Sequence, residues 1–218
     1  MKEKFMNGLL TLVVVLMMQL LWWFGIHGPN VMGAVTSPFM TKMMAQNLAL
    51  YQAGEGVTAS GVFYTAGSQY SIIFGPFGSG WFSPTGSGIT MGLIIAVMLF
   101  SKRDDFKAIA KLAIPCGIFN INEPIIFDIP MVMNALFAVP FFLAPIACVC
   151  CGYLVQPLGL CPLFVIDVPW TTPVGLFGFL ASSGNIMGAI WQAVIILGVS
   201  TLIYTPFVIA ANRQAEEA

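Results

Sequence analysis

Residues 131–153 read MVMNALFAVPFFLAPIACVCCGY and contain no Asp, Glu, Lys or Arg. The run is longer than the ~20 predominantly apolar residues that an α-helix needs to cross the hydrocarbon core of a bilayer. It includes Pro140 and Pro145, which predict kinks that a membrane-spanning helix can accommodate. The stretch therefore predicts a transmembrane helix.

Charged residues are scarce over most of the chain. Of its 218 residues, 58% are hydrophobic and 8% are charged, whereas a soluble globular domain has ~25% charged residues. Uncharged segments lie between Lys4 and Lys42, Glu55 and Lys102, Asp128 and Asp167, and Asp167 and Arg213. Each is longer than one bilayer crossing requires. The composition excludes an ordinary soluble domain and predicts an all-α polytopic membrane protein.

The pattern of apolar runs and helix breakers predicts about four to five transmembrane helices, two re-entrant hairpins and one interfacial amphipathic helix. The spans are expected at 8–24, 88–100, 131–153 and 183–211, and residues 30–50 form a further helix, interrupted at Ser37-Pro38, that packs inside the protein. Residues 101–111 predict the amphipathic helix. Prolines and glycines predict the hairpins at 115–130 and 156–180. Gly88 and Gly92 predict a close helix contact.

The few basic residues indicate how the chain is oriented in the membrane. Lys2 and Lys4, the group from Lys102 to Lys111, and Arg213 share one side if four segments cross. The positive-inside rule makes that side cytoplasmic, so both termini are expected in the cytoplasm. The first apolar segment has no small-residue cleavage site and is interpreted as a retained span rather than a signal peptide.

Several classes of function conflict with the composition. The net charge is −1 and no basic cluster is interleaved with aromatic residues, which excludes a nucleic-acid footprint. The five cysteines lie in or beside apolar segments, and the chain has one histidine, so neither a disulfide framework nor a zinc site is expected. No phosphate-binding loop or nucleophile triad has the required spacing. We expect no self-contained enzyme, no catalytic residues and no cofactor.

Glu123 is the residue that points most clearly to a ligand. It lies among Ile121, Ile125 and other apolar residues, where a carboxylate costs at least ~2.5 kcal/mol on insertion scales and usually faces a site or a pathway. Asn120 and Asn122 precede it. Carboxylate and amide groups together suit a neutral, polyhydroxylated ligand. The alternative is an internally paired Glu123 that only fixes the hairpin.

Three further residues are candidates for the same site. His27 precedes the helix break at Gly28-Pro29 and either contacts a ligand or only caps a helix. Trp170 either stacks on a ligand or anchors the chain at the membrane interface. Trp22 belongs to an aromatic pair of the kind that lies at a membrane boundary or lines a cavity.

The string 117–127, GIFNINEPIIF, with Ile129-Pro130 and Asn134, resembles the signature of the lactose/cellobiose (diacetylchitobiose) type enzyme IIC. This family is the membrane permease component of the bacterial sugar phosphotransferase system. Two further segments resemble family motifs in the same order, WWFGIHG at 22–28 and PWTTP at 169–173.

The resemblance implies a β-linked disaccharide such as cellobiose, lactose or diacetylchitobiose, bound by Glu123, His27, Asn120, Asn122, Trp22 and Trp170. It implies IIB and IIA subunits as partners, with phosphorylation by IIB and no phospho-accepting residue on this chain. It also implies that residues 1–218 form a single membrane domain resembling the family's C-terminal half, without the N-terminal dimerisation half. The partner is then an N-terminal-half polypeptide or a second copy, and Asn7, Gly8, Thr11 and Gln19 of the first span are expected to face lipid.

Two other functions remain open at this point. A proton-coupled secondary transporter uses an intramembrane Glu and His as a proton relay. A truncated, non-transporting remnant keeps the motifs without the activity.

Overall fold

The computed structural model describes residues 2–58, 61–64, 69–71, 76–129 and 131–216, with residues 2–9 and 76 described by their backbone alone. Its helices are α1 Lys2–Trp23, α2 Gly28–Gln52, α3 Pro76–Trp81, α4 Met91–Phe100, α5 Asp104–Ile118, α6 Glu123–Asp128, α7 Ala135–Val155, α8 Leu176–Ala181, α9 Ile186–Ala193 and α10 Ser200–Glu216. A π-helical segment, Val194–Val199, joins α9 to α10. Strands β1 Val57–Thr58 and β2 Gly61–Val62 pair antiparallel.

The chain is mostly helical, as the sequence predicts. Among the described residues, two helices are long and apolar enough to cross a membrane, α7 and the continuous helix Ile186–Glu216. The apolar part of α1, Leu10–Trp23, and helix α4 are shorter. The larger number of four to five spans therefore stays a prediction.

Two prolines that were expected to break helices lie inside them. Pro38 is within α2 and Pro115 is within α5, so the predicted interruption at 37–38 is wrong, and the predicted amphipathic helix continues into the first arm of the hairpin. A proline lacks the N–H group that donates one backbone hydrogen bond of the helix. Each of these helices tolerates the loss of that one bond and continues after the proline. The α5 helix ends instead at Ile118, two residues before Asn120, whose φ of 66° is left-handed.

Helix α2 lies on the outside of the described structure, and the prediction that it packs inside is wrong. Only Gly28, Thr36 and Asn47 of α2 are buried. Val35 and Phe39 are exposed. One side of the helix still contacts the protein: Met40 and Met43 pack against the core, and the Asn47 side chain binds the Ser71 backbone.

The polar residues of α1 face inward. Thr11 and Gln19 are buried, whereas Val13 and Leu16 are exposed, so the expectation that Thr11 and Gln19 face lipid is wrong. The reason is that these two residues share the helix face that packs against α2 and α7. The side chains of Asn7 and Gly8 lie outside the described residues.

The core consists of two apolar clusters that share α7. The first contains Val15, Trp81, Phe82, Phe164, Phe177 and Ile196, with Cys148 from α7. The second contains Trp22, Leu93, Phe106, Ile125, Ile126 and Tyr204, with Phe137 and Phe141 from α7. The second cluster lies under α6 and therefore supports Glu123.

The predicted close contact at the glycine pair is confirmed. A Cβ on Gly92 would lie 2.1 Å from Oγ of Ser200 and 2.6 Å from its backbone carbonyl carbon, so the backbones of α4 and α10 approach closely. The Tyr204 hydroxyl donates to the Gly88 carbonyl at 2.8 Å. The Asn212 amide donates to the Phe100 carbonyl at 2.9 Å and accepts from the Lys102 N–H at 2.9 Å. Helix α10 thus holds α4 at both ends.

We predict that Gly92→Ala destabilises the protein, because overpacking costs about 1–3 kcal/mol when the neighbour is backbone. The matched control is Gly198→Ala, whose new methyl group meets nothing within 4 Å among the described residues, and which gains helix propensity. Thermal unfolding in detergent should give a lower Tm for Gly92→Ala and an unchanged or higher Tm for Gly198→Ala. Equal Tm values for the two variants would contradict the α4–α10 contact.

Candidate functional site

The turn between α1 and α2 presents His27. Gly25 has φ 79°; its N–H donates to the Trp22 carbonyl at 2.8 Å, and the Ile26 N–H donates to the Leu21 carbonyl at 2.9 Å. This is the Schellman pattern of helix termination, which requires a left-handed residue at the position of Gly25. His27 lies two residues after Gly25, immediately before α2 begins at Gly28.

His27 has a different neighbour at each ring nitrogen. Its Nδ1 accepts a hydrogen bond from the Asn30 N–H at 3.2 Å, which makes it the N-cap of α2. Because Nδ1 accepts, the neutral ring carries its proton on Nε2. The cap therefore leaves Nε2–H as a donor on the opposite side of the ring.

The turn between α5 and α6 presents Glu123, and α5 ends in the same Schellman hydrogen-bond pattern. The Asn120 N–H donates to the Gly117 carbonyl at 3.1 Å, and the Ile121 N–H donates to the Cys116 carbonyl at 3.0 Å. Asn120 takes the left-handed place, which Asn tolerates better than most residues. Asn122 is the N-cap of α6, and Glu123 is its first residue.

His27 and Glu123 face each other across a gap. The distance from Nε2 of His27 to Oε1 of Glu123 is 3.9 Å, and the two side chains are 42% and 44% exposed. This separation is too long for a direct hydrogen bond, which needs about 2.7–3.2 Å. The pair is an N–H donor and a carboxylate acceptor, both accessible.

The Asn120 side chain ties three segments together. Its Oδ1 accepts from the Thr85 N–H at 2.5 Å, and its Nδ2 donates to the carbonyls of Trp170 at 2.5 Å and Thr172 at 2.9 Å. Both amide hydrogens are therefore bound to backbone. The predicted ligand contact of Asn120 stays a prediction, and its observed contacts are structural.

Asn122 holds a buried loop, residues 83–90, against the hairpin. Its Nδ2 donates to the Ser87 carbonyl at 2.6 Å. Gly86 has φ 83°, and a Cβ there would lie 2.2 Å from Cγ of Asn122. The loop also contains Thr85 and Ile89, both buried at positive φ. The Asn122 side chain is buried, so it too supports backbone.

The two predicted tryptophans differ in accessibility. Trp22 is 4% exposed and Trp170 is 62% exposed. The Trp22 ring lies 4.8 Å from the His27 ring and 6.2 Å from the Phe127 ring, measured between centroids. Trp22 thus lies beneath His27, and Trp170 offers an open ring face.

Phe127 is a site residue that the sequence reasoning missed. It is exposed and follows Glu123 by four positions in α6, so both side chains are on one face of the helix. The four-residue spacing is visible in the sequence, but it places the two side chains on one face only if residues 123–128 are helical. The sequence predicted a broken segment there. The structure thus brings together His27, Glu123, Trp22 and Phe127, with the Trp170 segment joined through Asn120.

The family model and the relatives that this chain matches all belong to the same family. Residues 4–145 match the family model described as "Phosphotransferase system, EIIC". The cellobiose-specific EIIC component of Lactococcus lactis is 37% identical over 94% of this chain and 43% of its own length. The oligo-beta-mannoside-specific EIIC component of Bacillus subtilis is 34% identical over 93% of this chain and 43% of its own length.

A solved structure agrees with these sequence matches. It is the crystal structure of ChbC, the IIC component from the N,N'-diacetylchitobiose-specific phosphotransferase system, with a TM-score of 0.83 and 34% identity. The match covers 94% of this chain and 45% of that one. The chain thus spans less than half the length of the proteins that it matches.

We predict that Asn120→Gly lowers the free energy of unfolding by about 3 kcal/mol, because the turn is kept while three hydrogen bonds of roughly 1 kcal/mol each are lost. Met133→Gly is the matched control, since Met133 also has a positive φ of 54° but an exposed side chain, and glycine relieves its strain. Chemical unfolding and hydrogen exchange at the Thr85 amide measure both effects. If the Thr85 amide of Asn120→Gly exchanges its hydrogen as slowly as in the wild type, the role of the Asn120–Thr85 hydrogen bond is contradicted.

Proposed function

Since the chain belongs to the EIIC family of the phosphotransferase system, we propose that it forms the sugar-binding part of a permease for a cellobiose-type disaccharide. The sugar crosses the bacterial membrane and is phosphorylated by a IIB subunit on the cytoplasmic side. The chain holds no phosphoryl group itself and acts as the transport subunit. This sugar class is supported by the relatives described above, which are named as cellobiose-specific and oligo-beta-mannoside-specific components.

The observation that carries the proposal is the His27–Glu123 pair. An oxygen atom at ~2.8 Å from both Nε2 and Oε1 fits the 3.9 Å gap with an angle near ~90° at that oxygen. A sugar hydroxyl is suited to this position because it accepts from the imidazole N–H and donates to the carboxylate at the same time. The bond to the carboxylate is charge-assisted and therefore the stronger of the two.

Aromatic rings beside the pair supply the apolar half of sugar recognition. We assign this role to the exposed rings of Trp170 and Phe127. The buried Trp22 ring is assigned a positioning role, since its contact with His27 limits the rotation of the imidazole. Asn120 and Asn122 are positioning residues as well, because their amides bind backbone.

The partners follow from the family and from the length of the chain. We propose a IIB subunit supplied by IIA as the phosphoryl donor, and either an N-terminal-half polypeptide or a second copy of the chain as the membrane partner. The domain is taken to correspond to the family's C-terminal, sugar-binding half. It is a multi-pass protein of the cell membrane, with both termini proposed to be cytoplasmic.

Glu123→Gln tests the assignment of the pair. We expect this variant to bind cellobiose at least ~10-fold more weakly, because a hydrogen bond to a charged group contributes about 1.5–3 kcal/mol. Asp128→Asn is the matched control, an identical loss of charge at the exposed far end of the same helix. Calorimetric titration of the purified protein measures affinity, and Tm verifies folding. Binding by Glu123→Gln within twofold of the wild type would refute the ligand role.

Trp170→Ala and Trp170→Phe test the stacking role. Stacking needs an aromatic face, so the Ala variant should lose cellobiose affinity and the Phe variant should keep part of it. The same titration measures both. If the two variants lose affinity equally, Trp170 acts through its indole N–H or as a membrane anchor.

The same pair of titratable side chains keeps proton-coupled transport as the second candidate, since Glu and His side by side also form proton relays. The two mechanisms differ in their energy source. Uptake that survives a collapsed proton gradient but stops when IIB is deleted supports the phosphotransferase function. The reverse result supports proton coupling. Absence of sugar binding, alone and with an N-terminal half, identifies a non-transporting remnant.

A further inference from the structure

An apolar groove runs along α4 and α5, and its lining includes neither His27 nor Glu123. Its volume is about 420 Å³, and it is partly open to the surface. Its walls include Met91, Ile95 and Met98 of α4 and Ile114 and Ile118 of α5. From Met91 to Leu99 the α4 wall is ~12 Å long, at 1.5 Å per residue. That length is close to the ~15 Å depth of one hydrocarbon leaflet.

Helix α5 carries a stripe that is basic at one end and apolar at the other. Lys107, Lys111, Ile114 and Ile118 follow at intervals of four, three and four residues, so they lie on one face of the helix. Phe106, Ala110 and Ala113 form the neighbouring buried face. The apolar half of the stripe lines the groove, and the two lysines continue the same line beyond it.

The two lysines are the cations available at this end of the groove. Among the described residues, Lys102 pairs with Glu216 at 3.0 Å and Arg103 pairs with Asp105 at 2.6 Å. The hydrogen bonds from Arg103 lower the pKa of the Asp105 carboxyl and keep that pair charged. Within the described part of the chain, no carboxylate lies at ion-pair distance from Lys107 or Lys111.

We propose that this groove binds one acyl chain of an anionic phospholipid, whose phosphate is held by Lys107 and Lys111. The charge of the stripe selects the headgroup, and the apolar groove selects the chain. An anionic surface attracts each nearby lysine by only ~1 kcal/mol without any groove. Because the lysines hold the headgroup and the groove holds one acyl chain, a single lipid molecule binds at one defined site on each chain.

The occupied groove would also support the sugar site from behind. Thr85 and Pro173 line it; the Thr85 N–H binds Asn120, and Pro173 follows Thr172, whose carbonyl binds the same amide. An acyl chain packed on these residues limits the motion of the segments that Asn120 joins. The lipid site itself is independent of the proposed sugar transport.

The test is a thermal unfolding titration of the full chain in detergent with dioleoylphosphatidylglycerol or dioleoylphosphatidylcholine. We expect a saturable rise in Tm of roughly 5 °C with phosphatidylglycerol and less than half of it with phosphatidylcholine. The double variant Lys107→Gln/Lys111→Gln should lose this preference. Lys42→Gln removes an exposed lysine on α2, outside the groove, and should keep it. Equal shifts with the two lipids, or an unaltered preference in the double variant, would overturn the proposal.

A second variant separates the groove from simple surface attraction. Ile114→Trp fills the groove and leaves both lysines, so it should abolish the saturable shift. Leu99→Trp, at an exposed groove position, serves the same purpose if Ile114→Trp has a lower Tm without lipid. Native mass spectrometry should detect one retained phosphatidylglycerol on the wild type and none on the filled variant. Retention of the lipid by the folded, filled variants would refute the acyl-chain site.

Discussion

The Asn120 carboxamide is the interaction on which the arrangement of the site depends. One side chain meets the backbone of the buried loop at Thr85 and of the segment at Trp170 and Thr172. These segments are far apart in sequence and none is a regular helix. In a membrane environment, irregular backbone must find partners within the protein, and here a single amide supplies several of them. Its left-handed backbone also starts the turn to Glu123.

The string 117–127 contains two kinds of polar and aromatic side chain, which differ in the direction in which they point. Asn120 and Asn122 point their amides into the protein and hold backbone. Glu123 and Phe127 point outward and remain accessible. A similar division applies to the α1–α2 turn, where buried Trp22 supports the accessible His27. Residues that the sequence predicts as one ligand-binding set are therefore divided in the structure into an accessible layer and a supporting layer.

The uncharged runs of the sequence predicted the helical class, and the cost of burying a carboxylate identified Glu123 as a candidate ligand residue. The placement of His27 beside Glu123 was implied only by the resemblance to the family. The sequence did not predict which way the side chains point. The amides of Asn120 and Asn122 suit a ligand and a backbone carbonyl equally well, and only tertiary packing decides between them. The implied absence of the N-terminal half predicted that Thr11 and Gln19 would face lipid, whereas helix α1 buries them. Pro38 and Pro115 indicated breaks, whereas the helices continue through them.

The two turns that present the site also constrain how the sequence can change during evolution. His27 follows the left-handed Gly25 by two residues, and Glu123 follows the left-handed Asn120 by three. One residue inserted after Asn120 would rotate the side chains of α6 by ~100° about the helix axis, which would turn Glu123 away from His27. Substitutions can be compensated by neighbours, but an insertion or deletion in either turn cannot. Related chains that keep this site should vary in residue identity within the two turns and not in the number of residues.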